Sequence, residues 1–415
     1  MTQLAETTLE VERVVAGGDG LARHESLVVF VPRTLPGERV RARATIRGHV
    51  GRGELVGVDV PSHARVTPQC PHYDGDQCGG CQLQHASYDE QLRIKSAIVV
   101  EAFRRIAHIE VPAPEVRPAG SPWRYRRKLT LALRKNAGGW YAGLRRRGAP
   151  DDVFDLRDCL ITDERVMTAW REIRSASPLL PDADELRGAV QLDSAGVPTF
   201  ALEGGASWGR ASEFFAKAPS LGSLWYTPVH GRRQRLAARG SADDSAPDAS
   251  FIQVNEVTAA ALLAYALERV RVHSPATVVD AYAGSGQAAV ALAANGIRAT
   301  AIELDRDAAH WAERHLAAPS RVIAARVEDV IGAALPADVV LLNPPRTGVH
   351  ARVCEAIVTA SPAPRAVIYV SCDPATLARD VSRMTGYRVA SLVCFDMFPQ
   401  TAHVESVCEL VPAAA

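Results

Sequence analysis

The chain has 415 residues, 47% of them hydrophobic, which suits roughly two to three domains with real cores and excludes wholesale disorder. Lys and Arg number 47 and Asp and Glu number 47, a balance that excludes an indiscriminate polyanion binder and a polybasic membrane protein. No apolar run reaches the about 18 residues of a membrane span, and MTQLAETTLE has neither a basic nor an apolar leader region, so a cytoplasmic location is expected.

Residues 8–60 read as short strands broken by Gly and Pro. Alternating stretches at 28–31 and 40–46 flank the turn Leu35-Pro36-Gly37-Glu38, which predicts a small five-stranded barrel over residues 1–61. The run GDGLAR…VVFVPRTLPGERVRARA resembles a TRAM domain, an OB-like barrel, and that resemblance implies RNA binding.

Cys70, Cys78 and Cys81 come next, with Gly79 and Gly80 between the last two. A cytosolic chain of this size has no need of disulfides, so three thiols in one loop point to a metal. A fourth thiol would complete either a structural zinc site or an iron–sulfur cluster, and the spacing leaves both open. Ser87 and Glu90 then form a capping-box pattern ahead of a helix over 88–107, with Leu92, Val99, Phe103 and Ile106 at helical spacing.

The charge balance is uneven along the chain. Residues 93–147 carry 14 basic and 3 acidic side chains, whereas 251–415 carry 13 and 16. Within the basic stretch, 122–147 reads as a hairpin turning at Ala137-Gly138-Gly139. The cations of 93–147 are expected to track RNA phosphates, with Trp123, Tyr125, Trp140 and Tyr141 open to base stacking. Residues 231–250 read as a polar loop, which puts a boundary near 250 between a central region, 62–250, and a C-terminal domain, 251–415. From there strands and helices alternate, predicting a parallel α/β sheet.

In that domain an apolar strand, 277–281, runs into Tyr282-Ala283-Gly284-Ser285-Gly286-Gln287 and an Ala-rich helix, and Glu303 closes the next strand. Glycines at such a turn let a nucleoside cofactor approach the backbone, and the acid can accept ribose hydroxyls; NAD binding shares this geometry. Asn343-Pro344-Pro345-Arg346 ends a later strand. Cys372 lies just beyond the strand 366–371, a position for an exposed nucleophile, and Glu405 follows in FPQTAHVESV.

The loop CPHYDGDQCGGCQLQH, the strand-end acids, and the motifs YVSCDPATLARD and FPQTAHVESV together resemble the RNA (uracil-C5) methyltransferases of the RlmD type. The resemblance covers essentially the whole chain. It implies a class I S-adenosylmethionine (SAM) methyltransferase domain, Rossmann-like, behind an OB-like barrel and a central α+β iron–sulfur domain. It assigns a [4Fe-4S] cluster to Cys70, Cys78, Cys81 and Cys159, and SAM contacts to Gln253, Tyr282, Gln287, Glu303 and Asn343. It makes Cys372 the nucleophile and Glu405 the general base. Asn343 departs from the Asp that usually opens this motif, and Arg326 stands where Asp or Asn is common, so no adenine contact is assigned there.

The implied chemistry needs both catalytic groups. Uracil C5 is too weak a nucleophile alone; a thiolate adding to C6 activates it, and a base must then remove the C5 proton. The target base must also leave its stack. The expected partner is RNA, 23S rRNA first and tRNA as the alternative, with no membrane and no obligate protein partner. Two readings from other classes stay open: an amino-group methylase, suggested by Asn343, and an RNA-binding factor without activity.

Overall fold

The computed structural model describes residues 2–240 and 254–413. Strands β1 (Thr2–Val14), β2 (Asp19–His24), β3 (Leu27–Pro32), β4 (Arg39–Arg47) and β5 (Val50–Val60) close into a barrel in the order β1-β2-β3-β5-β4. Alternation does the sorting: in β4, Val40, Ala42 and Ala44 face inward while Arg39, Arg41 and Arg43 face out. The predicted turn is present, with Gly37 at φ 79. Buried Glu38 accepts from the Leu35 and Ser62 amides (2.8 and 3.1 Å) and pairs with Arg65 (2.6 Å), which ties the barrel to the chain that follows.

The helix Tyr88–Ala102 starts where expected, with Ser87 at the N-cap, but the capping box does not form. The Ser87 side chain makes no cap bond, and Glu90 turns to Arg93 at 2.9 Å. The buried face differs in part: Val99 and Phe103 are buried as expected, but Gln91, Ile94, Lys95 and Ile98 also point inward, Leu92 is only partly buried and Ile106 is 40% exposed. Fully buried Lys95 forms an ion pair with fully buried Asp396 and donates to the Phe398 carbonyl at 3.0 Å. Removing one partner of such a pair strands the other charge, so Lys95→Ala should cost about 3–5 kcal/mol in a urea melt. A loss under about 1 kcal/mol would mean that the pair does not hold the two segments together.

Strand β6 (Glu115–Arg117) leaves this helix to join the C-terminal sheet. The central region builds a six-stranded sheet, β14-β13-β12-β11-β7-β8, from β7 (Lys128–Asn136), β8 (Gly139–Gly143), β11 (Glu185–Leu192), β12 (Pro198–Glu203), β13 (Ser223–Thr227) and β14 (Gln234–Ala238). The short strands β9 (Arg145–Arg146) and β10 (Ala149–Val153) pair separately. The β7–β8 hairpin turns where the sequence places it, and Leu129, Leu131 and Leu133 pack onto Trp170, Phe200 and Phe214. Strand β14 corrects the expectation of a loop from 231 on: its backbone pairs with β13, and Arg239 lies over the Phe215 ring at 3.8 Å. The rest of that expected loop, 241–250, lies outside the described residues.

The C-terminal sheet runs β17-β16-β15-β18-β19-β21-β20-β6, using β15 (Thr277–Ala281), β16 (Arg298–Glu303), β17 (Arg321–Ala324), β18 (Val339–Leu342), β19 (Ala366–Ser371), β20 (Tyr387–Phe395) and β21 (Glu405–Pro412). Strands β15 to β19 are parallel and β21 is antiparallel between β19 and β20. Helices cover both faces, so β18 and β19 are buried throughout. Cys354, Cys394 and Cys408 are core residues, as their apolar contexts predict. This topology gathers the carboxyl ends of β15, β16, β18 and β19 along one edge, where open α/β sheets bind ligands.

Candidate active site and cysteine cavity

Register decides what faces what. Ser371 of β19 is opposite Ser406 of β21, so the next residues outward, Cys372 and Glu405, face each other across the strand ends. Cys372 is half-buried in a turn fixed on both sides: Ser371 Oγ donates to the Asp373 carbonyl (3.0 Å), and the Asp373 side chain caps the helix Pro374–Arg383. Burial and the neighbouring Glu405 carboxylate raise the Cys372 thiol, while Arg346 lowers it. Burial pushes Glu405 up to about 7, with Arg346 again opposing. One guanidinium therefore favours the anionic form of both groups.

Arg346 is carried by the loop after β18, and Asp380, the last residue of the YVSCDPATLARD motif, holds that loop. Asp380 is fully buried and accepts from Tyr369 Oη (2.8 Å) and the Val349 amide (2.8 Å), with Arg379 and Arg383 on its other oxygen (2.9 and 3.2 Å). Gly348 sits at φ 75, and a Cβ there would lie 2.3 Å from an Asp380 oxygen, so only glycine fits. The motif that carries Cys372 contains Asp380, but its bracing of the Arg346 loop depends on the fold bringing Tyr369 and Val349 to it.

The cofactor turn has the backbone that its glycines allow: Tyr282, Gly284 and Gly286 all have positive φ (62, 57 and 73), and a Cβ on Gly286 would meet Ala312 at 2.7 Å. The Glu303 carboxylate accepts from the Gly284 and Asp305 amides (2.7 and 2.8 Å), which joins the ends of β15 and β16. Buried Asp280 accepts from the Ala289 amide (3.1 Å) and is pushed up to about 7 by burial. Exposed Gln287 opens the helix Gln287–Ala293, and exposed Asn343 directly follows β18, its amide on the Ala281 carbonyl (3.2 Å). Tyr282, Gln287, Glu303 and Asn343 thus share one sheet edge, whereas Gln253 lies outside the described residues.

In the central region Cys70, Cys78, Cys81 and Cys159 line one cavity of about 110 Å³ together with His72, Tyr73 and Asp158. All four are free thiols. Burial pushes Cys78 up to about 11, with the other cysteines adding to the rise. Among the described residues, no three His, Cys, Asp or Glu side chains converge closely enough to hold a metal ion. The thiols stand around a space rather than at a point.

The basic segment is less free than its charge suggests. Arg124 pairs with Asp158 (2.9 Å), Arg134 with Glu185 (3.1 Å), Lys135 with Asp182 (3.0 Å), Arg146 with Asp152 (3.0 Å) and Arg127 with Glu256. Two of the aromatics expected to stack on bases are committed inward: Trp123 packs against the Tyr73–Cys81–Ile161 cluster, and Tyr125 Oη donates to the Pro399 carbonyl at 2.9 Å. Trp140 and Tyr141 instead line a groove of about 300 Å³ with Arg171 and Arg174. Among the described residues, no helix is long and apolar enough to cross a membrane.

Residues 312–411 match the family model described as tRNA (Uracil-5-)-methyltransferase. The chain is 31% identical to the 23S rRNA (uracil(1939)-C(5))-methyltransferase RlmD of Alkalilimnicola ehrlichii, over 94% of this chain and 93% of that one. It is 29% identical to an RNA methyltransferase of Listeria monocytogenes, over 96% of both. Among solved structures, the Pyrococcus abyssi tRNA (uracil-54, C5)-methyltransferase in complex with S-adenosyl-L-homocysteine aligns with a TM-score of 0.73, covering 97% of this chain and 100% of that one. At 22% identity that likeness speaks to the fold alone.

Proposed function

The chain belongs to the RNA (uracil-C5) methyltransferase family, and on that premise we propose that Cys372 and Glu405 are the groups with which it methylates a uridine of 23S rRNA. The activity is SAM-dependent methyl transfer to uracil C5 in RNA; the residues and the RNA are our reading. The observation that carries it is the facing of a thiol and a raised carboxyl across the ends of β19 and β21. An exocyclic amine needs neither group, so this pair favours C5 over amino-methylation even with Asn343 in the Pro-Pro motif.

The steps assign themselves by chemistry. Arg346 favours the Cys372 thiolate, which bonds to uracil C6 and turns C5 into an enolate-like carbon. Bound at the ends of β15, β16 and β18, SAM supplies an electrophilic methyl group. Glu405, as carboxylate, then takes the C5 proton; the electron pair restores the C5–C6 double bond and the C6–S bond breaks, freeing Cys372. Tyr282, Gln287, Glu303 and Asn343 would hold SAM, with Gln253 placed among them on sequence grounds. Asn343 keeps a hydrogen-bonding side chain without the charge of an acid.

We assign the barrel, 1–61, and the central region, 62–250, to holding RNA, and residues 251–415 to catalysis. Cys70, Cys78, Cys81 and Cys159 fit a [4Fe-4S] cluster: four thiols around a cavity larger than a single ion suit a multi-atom centre better than zinc. Anaerobically purified protein should be brown and contain iron and sulfide in equal amounts, and Cys81→Ser should lose both. Colourless protein with bound zinc would overturn the cluster.

The function is tested by incubating rRNA and tRNA from cells lacking the protein with enzyme and SAM, and mapping the new methyl groups by mass spectrometry. 5-Methyluridine in 23S rRNA is expected. The same product confined to tRNA would move the substrate, and methylation of an exocyclic amine would overturn the mechanism.

A further inference from the structure

The segment 396–404 delivers Glu405 to the active site, yet it lies between β20 and β21 and, past the Asp396 amide on Arg117 of β6 (2.9 Å), pairs with no strand among the described residues. Backbone groups in such a segment need partners from elsewhere. The Met397 carbonyl accepts from Asn255 of the C-terminal domain (3.4 Å), but the partners of residues 398–400 come from the central region. The Gln400 amide donates to Gln91 Oε1 (2.9 Å), and Gln91 Nε2 donates back to Gln400 Oε1 (3.0 Å). The Gln400 carbonyl accepts from the Gln82 and Leu83 amides (3.1 and 2.9 Å), directly after Cys81 in the chain. Pro399 and Phe398 are held by Tyr125 and Lys95 (2.9 and 3.0 Å).

Gln400 is the centre of this arrangement. Its φ of 69 is uncommon for a non-glycine residue, and it is 3% exposed. Gln91, 1% exposed, answers it with one acceptor and one donor, and its Nε2 also reaches the Ala86 carbonyl (3.0 Å). An amide side chain meets both demands at once; a carboxylate could meet only one.

We propose that Gln91 is a positioning residue for Glu405, acting through Gln400 to hold the base-bearing segment at the geometry that proton removal requires. The proposal rests on Glu405 being the base. It assigns the alignment of the base to the helix Tyr88–Ala102 and the cysteine loop, and not to the catalytic sheet that carries the nucleophile.

A positioning fault of this kind would slow one step and spare the other. The test uses the full-length enzyme, RNA tritiated at uracil C5, and SAM labelled at the methyl group, in single-turnover quench experiments. Gln91→Met keeps the volume and removes the amide. Tritium release should slow about tenfold while methyl transfer stays within about twofold, with denaturation-resistant protein–RNA adduct accumulating between the two steps. Gln91→Glu, which keeps the acceptor for the Gln400 amide, should recover part of the release rate. If Gln91→Met does not fold, Gln400→Gly applies a milder form of the test: glycine tolerates the backbone conformation, the bond from Gln91 Nε2 to the buried Gln400 side chain is lost, the Gln400 amide keeps its bond to Gln91, and a slowing of about threefold confined to tritium release is expected. Equal slowing of both steps, or no slowing of either, would overturn the proposal. Glu405→Gln serves as reference: if it also fails to block tritium release, the assignment of the base is at fault and not the role of Gln91.

Discussion

Cys372→Ala should lower methyl transfer by on the order of 10⁴-fold or more, while RNA binding measured by filter retention stays within about twofold. The reason is that C5 has no other source of nucleophilicity: without a sulfur on C6 it does not attack a methyl group. Serine should not rescue, because its hydroxyl is not ionised to a useful degree beside one guanidinium. The fold should survive, since Cys372 is half-buried at a turn held by Ser371 and Asp373. A Cys372→Ala protein that still methylated RNA within about tenfold of the parent would rule out the covalent route.

Glu405→Gln should do the opposite to the adduct. Addition and methyl transfer remain, proton removal fails, and the enzyme accumulates as a covalent RNA complex visible on a denaturing gel. The rate of product release should fall by about 10²- to 10⁴-fold. The pH dependence has a definite sign. Burial pushes Glu405 to about 7, so the carboxylate that accepts the proton is scarce below that pH, and the resolution step should rise with pH and level off above about 7.

Stability runs the other way. Because the folded pKa is raised from 4.5, the folded protein holds the proton more tightly than the unfolded chain. The resulting stability is fully present below about 4.5 and is lost as pH rises through about 7. Glu405→Gln should therefore be more stable than the parent at pH 8, by about 2 kcal/mol after allowing for partial exposure, and indistinguishable near pH 4. Asp280, also pushed to about 7, titrates in the same window and keeps part of the slope in the variant. A pH-independent difference between the two proteins in urea melts would refute this account.

Much of the catalytic edge was legible because its chemistry is local. A strand, a Gly-rich turn and a helix occupy consecutive residues, so the φ values of Gly284 and Gly286 follow from the sequence itself. The same holds for the 137–139 turn and for the barrel, where alternation within one strand separates inside from outside. Cys372 and Glu405 were named separately by their motifs. That they face each other needed the antiparallel register of β19 against β21.

What escaped the sequence was polar and long-range. Gln91 and Lys95 lie on the buried helix face with Ile94 and Ile98, where helical spacing alone would have put apolar side chains; their partners, Gln400 and Asp396, are 309 and 301 residues away. Tyr125 was expected to face RNA and instead holds the Pro399 carbonyl, 274 residues on.

Length, composition and local pattern by themselves determined the kinds of structure present and the Gly-rich turn at 282–287, and placed Cys372 just beyond a buried strand, because each depends on neighbours within a few residues. The balanced total of charge hid a basic stretch, and the sequence could show that stretch but not its fate. Only the tertiary structure decided that Arg124, Arg127 and Arg134 meet Asp158, Glu256 and Glu185, and that Glu405 reaches the Cys372 edge on a strap held by another region. An ion pair or a buried amide is specified by which distant group the fold brings within about 3 Å, and no local rule in the sequence encodes that distance.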